Sequence, residues 1–578
     1  MHEGLGRSDR LFAAAVFGIG SVWGVLGLGA WFAFILTGRR PNAMVLAAPV
    51  EVLAHPGDLA GERWAGARSP GVYWGCTLAV VLLLGAISAL LWRQLLGRSG
   101  SELDLRGCAS RREVRAGAGR ATLSSRASTL RPALSKPSLT DLGFWLGSSR
   151  GVGAYATVED SMVILGPPRS GKGIHLAIPM ILEAPGPVLT TSTRPDNLAV
   201  TMRRRARSGP VAVFDPQGLA PGMRSATRWS PIRGCEDPQV AMLRAKALTT
   251  GAANGTTDSN FWQASAEQAV RVLLHAAALG GCTSADLYRW SLSAAQAREA
   301  VVILSAHPQA AQAWAEALEA VINADPRQRD SVWAMVTIAF AALADPRVLD
   351  AVSPGPGEQF DPAAFLTGNG TIYLLGTATG SAATAGLVGA FVEDVAEVAR
   401  RLAARSAGAR LDPPLTLVLD EAANYPLPSL PALMSDGGGT GICTVVVLQS
   451  LAQARHVWGE HAASAIWDAA IVKVILGGGS NARDLQDLST LIGQRDQTST
   501  TTSHGRDGHP SRSTTSTKVP ILEPAQLRTL PFGTAVLLLR AARPIALTLR
   551  AWTKRPDAAA LTADRRLVEA DIHDAATA

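Results

Sequence analysis

One stretch constrains the fold of this 578-residue chain more than any other: Ser161-Met162-Val163-Ile164-Leu165 runs straight into Gly166-Pro167-Pro168-Arg169-Ser170-Gly171-Lys172-Gly173. A short β-rich run, a glycine-bearing loop ending on lysine, and the largely apolar segment from Ile174 to Ala184 read as strand, loop and helix. Backbone N–H groups of such a loop and the helix N-terminus cradle phosphate oxygens, and Lys172 places its ammonium on the β- and γ-phosphates. The lysine is not a product of composition, because lysine stands at only 136, 172, 246, 473, 518 and 554 while arginine abounds. The last loop position departs from the usual pattern: Gly173 replaces the serine or threonine whose hydroxyl touches Mg²⁺. Either the metal keeps an extra water there, or the site binds nucleotide and hydrolyses it poorly.

Such a loop needs acids at the end of a second buried strand, and "LTLVLDEAA", 415 to 423, supplies them. Asp420 would hold Mg²⁺, directly or through water, and Glu421 would orient and polarise an attacking water. Further apolar runs, "VAVFD" 211–215, "TIYLLG" 371–376, "CTVVVLQ" 443–449, "IVKVILGG" 471–478 and "TAVLLL" 534–539, fit a mainly parallel sheet buried on both faces. Gln449 closes one of them, either to sense a γ-phosphate or as a plain turn residue.

No charge interrupts Leu11 to Thr37 or Gly71 to Trp92. Each run exceeds the roughly 20 apolar residues that cross a bilayer, although a buried helix or, for the first, a signal peptide has the same composition. Arg93, Arg98, Arg106, Arg111, Arg112, Arg115 and Arg120 follow the second run, against Arg39, Arg40, Arg63 and Arg68 between the two. This bias predicts both termini in the cytoplasm and residues 38–70 outside, with Trp31, Trp74 and Trp92 at the interfaces. Cys76, Cys108, Cys235, Cys282 and Cys443 form no CxxC pair, so neither a disulfide framework nor a zinc site is expected.

The motif order resembles the coupling proteins of type IV secretion and conjugation, the TraG/TraD family of RecA-like ATPases. The resemblance spans roughly residues 155 to 555 and rests on "GPPRSGKGIHLAIPMIL", on "VFDPQG" with "RWSPI", on "NFWQASAEQAVRVLLHAA" and "LADPRV", on "LDEAANYPLPSLPALMSDGGGTGI" with "LQSLAQARHVWG", and on "IWDAAIVKVILGG", "DLSTLIG" and "LEPAQLRTLPFGTAVLLLRAARPI". Two spans ahead of the ATPase are also typical of that family, and glycine at the position of Gly173 is common in its secretion branch. The chain departs from it at Ser192-Thr193-Arg194-Pro195-Asp196 and at Gly437-Gly438-Gly439, which leaves the source of an inter-subunit arginine open; Arg455, Arg483 and Arg495 are the candidates, each of them otherwise a surface or structural arginine.

The resemblance implies a RecA-like P-loop NTPase domain with an inserted all-α domain and two N-terminal transmembrane helices. Its expected parts are a membrane anchor over 1–97 and a basic Ser/Gly/Ala-rich linker over 98–150. The nucleotide-binding domain covers 151–254 and 351–555, split by an all-helical insertion at 255–350, and a tail covers 556–578. Within the second part, 494–518 lacks apolar residues and reads as a flexible polar loop, with His504 and His509 incidental. The implied activity is ATP hydrolysis with Mg²⁺ by a homohexamer in the cytoplasmic membrane, ATPase domain inward. It would pump conjugative DNA, held by backbone contacts, with an attached relaxase toward a secretion channel. An FtsK-like double-stranded DNA pump, export of protein alone, and a nucleotide-binding scaffold without turnover are the alternatives.

Overall fold

The strand in front of the phosphate loop, Met162–Leu165, alternates its side chains between two cores. Met162 and Ile164 join one apolar cluster and Val163 and Leu165 the other, so the sheet is covered on both faces. The protein, seen here as a computed structural model, is described over residues 7–37, 70–96, 106–223, 226–250, 259–376, 382–504 and 510–577. It forms two compact units, Met1–Glu102 and Leu103–Ala578.

In the larger unit the strands are β1 (Gly143–Ser149), β2 (Val152–Thr157), β3 (Met162–Leu165), β4 (Val188–Ser192), β5 (Val211–Phe214), β6 (Thr371–Leu375), β7 (Leu415–Leu419), β8 (Ile442–Leu448), β9 (Val472–Leu476), β10 (Gln494–His504), β11 (Pro510–Pro520), β12 (Thr534–Leu539) and β13 (Ile545–Thr548). Eleven of them make one sheet in the order β2-β1-β13-β12-β9-β3-β8-β7-β4-β6-β5. From β9 to β5 all pairs are parallel, and from β9 to β2 all are antiparallel. The expectation of a mainly parallel sheet therefore holds for the part around the loop. "TAVLLL" is the exception: β12 runs antiparallel to β9 and forms a hairpin with β13 over the short turn at 540–544, a connection that needs no crossover helix.

The chain between β5 and β6 is helical from Pro238–Thr250 through Ser259–Leu279 to Pro362–Thr367, wider than the 255–350 read from sequence. Its helix starts are written locally. Asp325-Pro326, Asp345-Pro346 and Asp361-Pro362 each place a capping carboxylate before a proline at the first helical position, and Thr283 with Asp286 forms a capping box. The helix Ser259–Leu279 buries Ala266, Ala269, Val270, Leu273, Ala276 and Ala277, a stripe at helical spacing. Below it, Trp229 stacks on Phe391 with ring centres 4.7 Å apart and donates through Nε1 to Asp394 at 2.9 Å. Arg244 lies over the same Trp229 ring and pairs with Asp394 at 2.8 Å, so a buried polar node is fully satisfied where the helices meet the sheet.

Two segments correct the sequence reading. The linker expected over 98–150 is folded from residue 106 onward. Four short helices, two of them opened by capping boxes at Ser110/Glu113 and Ser138/Asp141, bury Val114, Leu123, Leu130 and Leu142 in the apolar cluster that holds β1 and β2, and Arg131 pairs with Asp412 at 2.5 Å. Scattered single leucines, each on a different short helix, leave no period to read. The polar loop expected over 494–518 is an antiparallel hairpin, β10 with β11, in register from Gln494↔Pro520 to His504↔Pro510. Its Thr and Ser residues face one another across the ladder, as at Ser499↔Thr515 and Thr500↔Thr514, and β-branched cross-strand pairs supply what burial does not. Residues 505–509, with His509, lie outside the described residues. Within 556–578, Ala558–Thr577 is a helix set on Asp196–Arg205, with Leu561 and Val568 buried and Arg203 bonded to Asp564 at 3.1 Å.

In the smaller unit the helices Arg7–Leu36 and Pro70–Leu96 pack together. Tyr73 donates its hydroxyl to the Leu26 carbonyl at 3.2 Å, and a Cβ on Gly29 would come within 2.2 Å of Thr77 Oγ1. Among the described residues one stretch, Gly71–Ser88, is long and apolar enough to cross a membrane, and Ser21–Leu36 is shorter. Two spans are thus an expectation that the fold does not establish, and of the outside loop read over 38–70, residues 38–69 lie outside the described residues.

Candidate active site

Parallel strands present their ends on one edge, and ligands of such sheets bind beyond those ends. Here β3, β8 and β7 are successive neighbours. The phosphate loop follows β3, Gln449 follows β8, and Asp420-Glu421 follow β7, so three motifs scattered over 280 residues of chain share one edge. The Gly166 N–H donates to the Leu448 carbonyl at 3.1 Å, which ties the loop to the strand before Gln449. Gln449, Gly166, Pro167, Ser450 and Asn481 line a cleft of about 380 Å³.

The loop is shaped by two left-handed residues, Arg169 (φ 63°) and Gly171 (φ 93°). Alternation of left- and right-handed residues turns successive N–H groups inward as an anion nest, and the non-glycine Arg169 pays a local strain of order 1 kcal/mol for it. Ser170 Oγ is buried without a hydrogen-bond partner. Lys172 Nζ is folded back onto the carbonyls of Gly166 and, at 2.9 Å, Pro167. Burial lowers the Lys172 pKa, against the pull of Asp420 and Glu421, which both face it. A buried cation held only by loop carbonyls and an orphaned hydroxyl fit a polyanionic ligand.

At the other end side chains hold the acids. Asp420 Oδ2 accepts from Asn197 Nδ2 at 3.2 Å, while its carbonyl accepts from Thr191 Oγ1 at 3.0 Å. Glu421, left-handed at φ 51°, accepts on the single oxygen Oε2 from Thr193 Oγ1 at 2.7 Å and from Asn424 Nδ2 at 3.0 Å. Burial first, and the neighbouring Glu421 second, push the Asp420 carboxyl up to about 6. Among the described residues no three candidate metal-ligating side chains cluster. Mg²⁺ in nucleotide sites is held through one or two carboxylates with phosphate and water completing its shell, and the neighbouring Asp420 and Glu421 carboxylates fit that donor set. A Cβ added to Gly173 would meet nothing within 4 Å, so packing does not forbid the missing hydroxyl.

Arg455 and Arg483 are paired with acids outside the phosphate loop. Arg455, on the helix after Gln449, pairs with Asp484 and, at 3.9 Å, with Glu460. Arg483 pairs with Glu460 at 3.6 Å and Asp487 at 4.0 Å and is largely exposed. Arg495 opens β10 beside Gly107. Sequence reasoning missed Thr193, Asn197 and Asn424. The first two lie in or beside Ser192–Asp196, the stretch that departs from the family pattern, and that departure was the available signal.

Loop, acids and sheet order together define a P-loop nucleotide-binding α/β fold. Residues 414–532 match the family described as the TraM recognition site of TraD and TraG. Similar solved structures are the bacterial conjugative coupling protein TrwBdeltaN70 in unbound form (17% identity over 73% of this chain and 91% of that one, TM-score 0.53), and the plasmid coupling protein TrwB with the non-hydrolysable GTP analogue GDPNP (18%, 74% and 94%, 0.52) or with ADP and Mg²⁺ (18%, 74% and 94%, 0.51). No curated protein matches by sequence. The fold is that of the conjugative coupling proteins, and the TraG/TraD resemblance drawn from the motifs is borne out.

Proposed function

We propose that this chain is a membrane-anchored ATPase of the conjugative coupling kind, which hydrolyses ATP to move DNA with an attached relaxase toward a type IV secretion channel. One observation carries the reading: Lys172, Gln449 and the Asp420-Glu421 pair stand at the ends of three neighbouring parallel strands. The loop N–H groups and Lys172 bind and orient the β- and γ-phosphates. Glu421 orients a water toward the γ-phosphate, and Gln449 contacts the same phosphate. Asp420 is the residue to hold Mg²⁺, which when bound offsets charge on the phosphates. The forms of TrwB with the non-hydrolysable ATP analogue ADPNP and with ADP and Mg²⁺ support the cofactor assignment.

A ring supports the rest of the reading. Arg455 and Arg483 are paired with acids outside the phosphate loop, which is compatible with an arginine reaching the phosphate from a neighbouring subunit, and a closed homohexamer makes every such site equivalent. The helix Pro70–Leu96 supports anchoring in the cytoplasmic membrane; with the first apolar run as a second span, both termini and the ATPase lie inside. The TraM-recognition match supports docking to relaxosome proteins. DNA would be held through its backbone, without sequence preference.

A second reading, a nucleotide-binding scaffold without turnover, draws on Glu421 having Oε2 occupied by two donors and on Gly173 lacking a hydroxyl. ATP hydrolysis by the full chain, with and without single- and double-stranded DNA, separates the two. DNA-stimulated turnover that Glu421→Gln abolishes establishes the motor, while tight nucleotide binding with no turnover under any condition establishes the scaffold.

A further inference from the structure

Along the edge where the parallel strands end, the order of features is set by the sheet. β7 brings Asp420, β8 Gln449 and β3 the phosphate loop; then come Gly477 after β9 and, at the start of β12, Phe532. The acids and Gln449 mark the terminal-phosphate side of the loop. The nucleoside must therefore lie on the opposite flank, beyond Gly171 and Lys172, toward β9 and β12.

That flank carries an aromatic surface with no role so far. Phe532 sits between Pro531 and Gly533 (φ 81°) with 68% of its surface exposed, a heavy exposure for a phenylalanine of the folded unit. Its ring meets His175, in the first turn behind the loop, edge-on at 4.9 Å between centres. A Cβ on Gly171 would lie 2.9 Å from Phe532 Cε2 and 2.5 Å from His175 Nδ1, so the ring abuts the phosphate loop itself. His175 is buried and fixed by its Nδ1 contact with the Gly171 carbonyl at 3.0 Å, so the phenyl ring has a fixed aromatic neighbour while most of its surface stays exposed.

We infer that Phe532, braced by His175, is the platform on which the base of a bound nucleoside di- or triphosphate stacks. The inference rests on the phosphate loop being the nucleotide site. Every base has a π-face, so such a platform adds affinity without choosing between adenine and guanine. Truncating a stacking aromatic costs about tenfold in binding.

The test is calorimetric titration of the full chain in detergent with ADP, GDP and inorganic tripolyphosphate, which has the charge but no base. Phe532→Ala is expected to weaken ADP and GDP alike, about tenfold, and to leave tripolyphosphate unchanged, while Phe532→Tyr stays within about twofold of the parent. Unchanged ADP affinity in Phe532→Ala overturns the platform and leaves the exposed ring to a neighbouring subunit. Equal loss of ADP and tripolyphosphate also overturns it, because the ring then only shapes the loop. The site reading is judged by a separate arm: if Lys172→Ala binds all three ligands as the parent does, or the parent binds none, the phosphate loop is not the site and the platform falls with it.

Discussion

The two halves of the site are built in opposite ways. The phosphate end is made of backbone: a nest bent by Arg169 and Gly171, with one functional side chain, Lys172, and open space at Gly173. The acid end is made of side chains, with Asn197 on Asp420 and with Thr193 and Asn424 on one oxygen of Glu421. A phosphate is large, multiply charged and satisfied by many N–H donors, so backbone suffices. A water about to attack must be aimed, and only fixed side-chain dipoles do that.

This contrast can be broken in order of expected effect. Lys172→Ala removes the one side chain on which the phosphate end depends and should lower kcat/KM by about 10³-fold, read in steady-state ATPase assays. Glu421→Gln should lower kcat by about 10²-fold with nucleotide affinity retained, seen by comparing turnover with calorimetric binding. Thr193→Val keeps the shape and deletes one donor to a charged oxygen, so kcat should fall about tenfold with KM unchanged, and Thr193→Ser should restore it. An equal loss in KM would show that the acid end binds as well as aims.

Two smaller effects sharpen the comparison. The Asp420 carboxyl is raised to about 6 by burial and by Glu421, and a proton there competes with Mg²⁺. Mg²⁺-dependent nucleotide affinity should therefore be full above that pH and fall by up to about tenfold per pH unit below it, a dependence that Asp420→Asn flattens. Gly173→Ser adds a hydroxyl where a Cβ meets nothing, so the melting temperature should hold and Mg²⁺ affinity should rise about threefold in the same titrations. A steep loss of stability instead would mean that Gly173 is required by backbone and not merely permitted.

Legibility followed the same division. Asp420, Glu421 and Gln449 were legible because they follow directly on apolar runs, which marks a strand end, and Lys172 because it ends a glycine-bearing loop in a chain poor in lysine. Thr193 and Asn197 were not, because a hydroxyl or amide gains meaning from what it faces, and Glu421 lies 228 residues away from Thr193. The 106–142 stretch hid its core contacts in single leucines on helices of four to eight residues. The 494–518 stretch hid a hairpin because the argument from burial ignores cross-strand pairing.

What the chain alone determined was local chemistry: strand, loop and helix around Gly166–Gly173, the acids after 415–419, the Asp-Pro helix starts of the insertion, and a stretch at 71–88 able to cross a membrane. These depend on neighbours within a turn or a strand length. Tertiary structure alone decided the strand order that lines up Phe532, the loop, Gln449 and Asp420 on one edge, and which hydroxyl and which amide hold the acids. Those are contacts between residues far apart in sequence, and the free energy that selects them is the burial of both sheet faces at once, which no single segment contains.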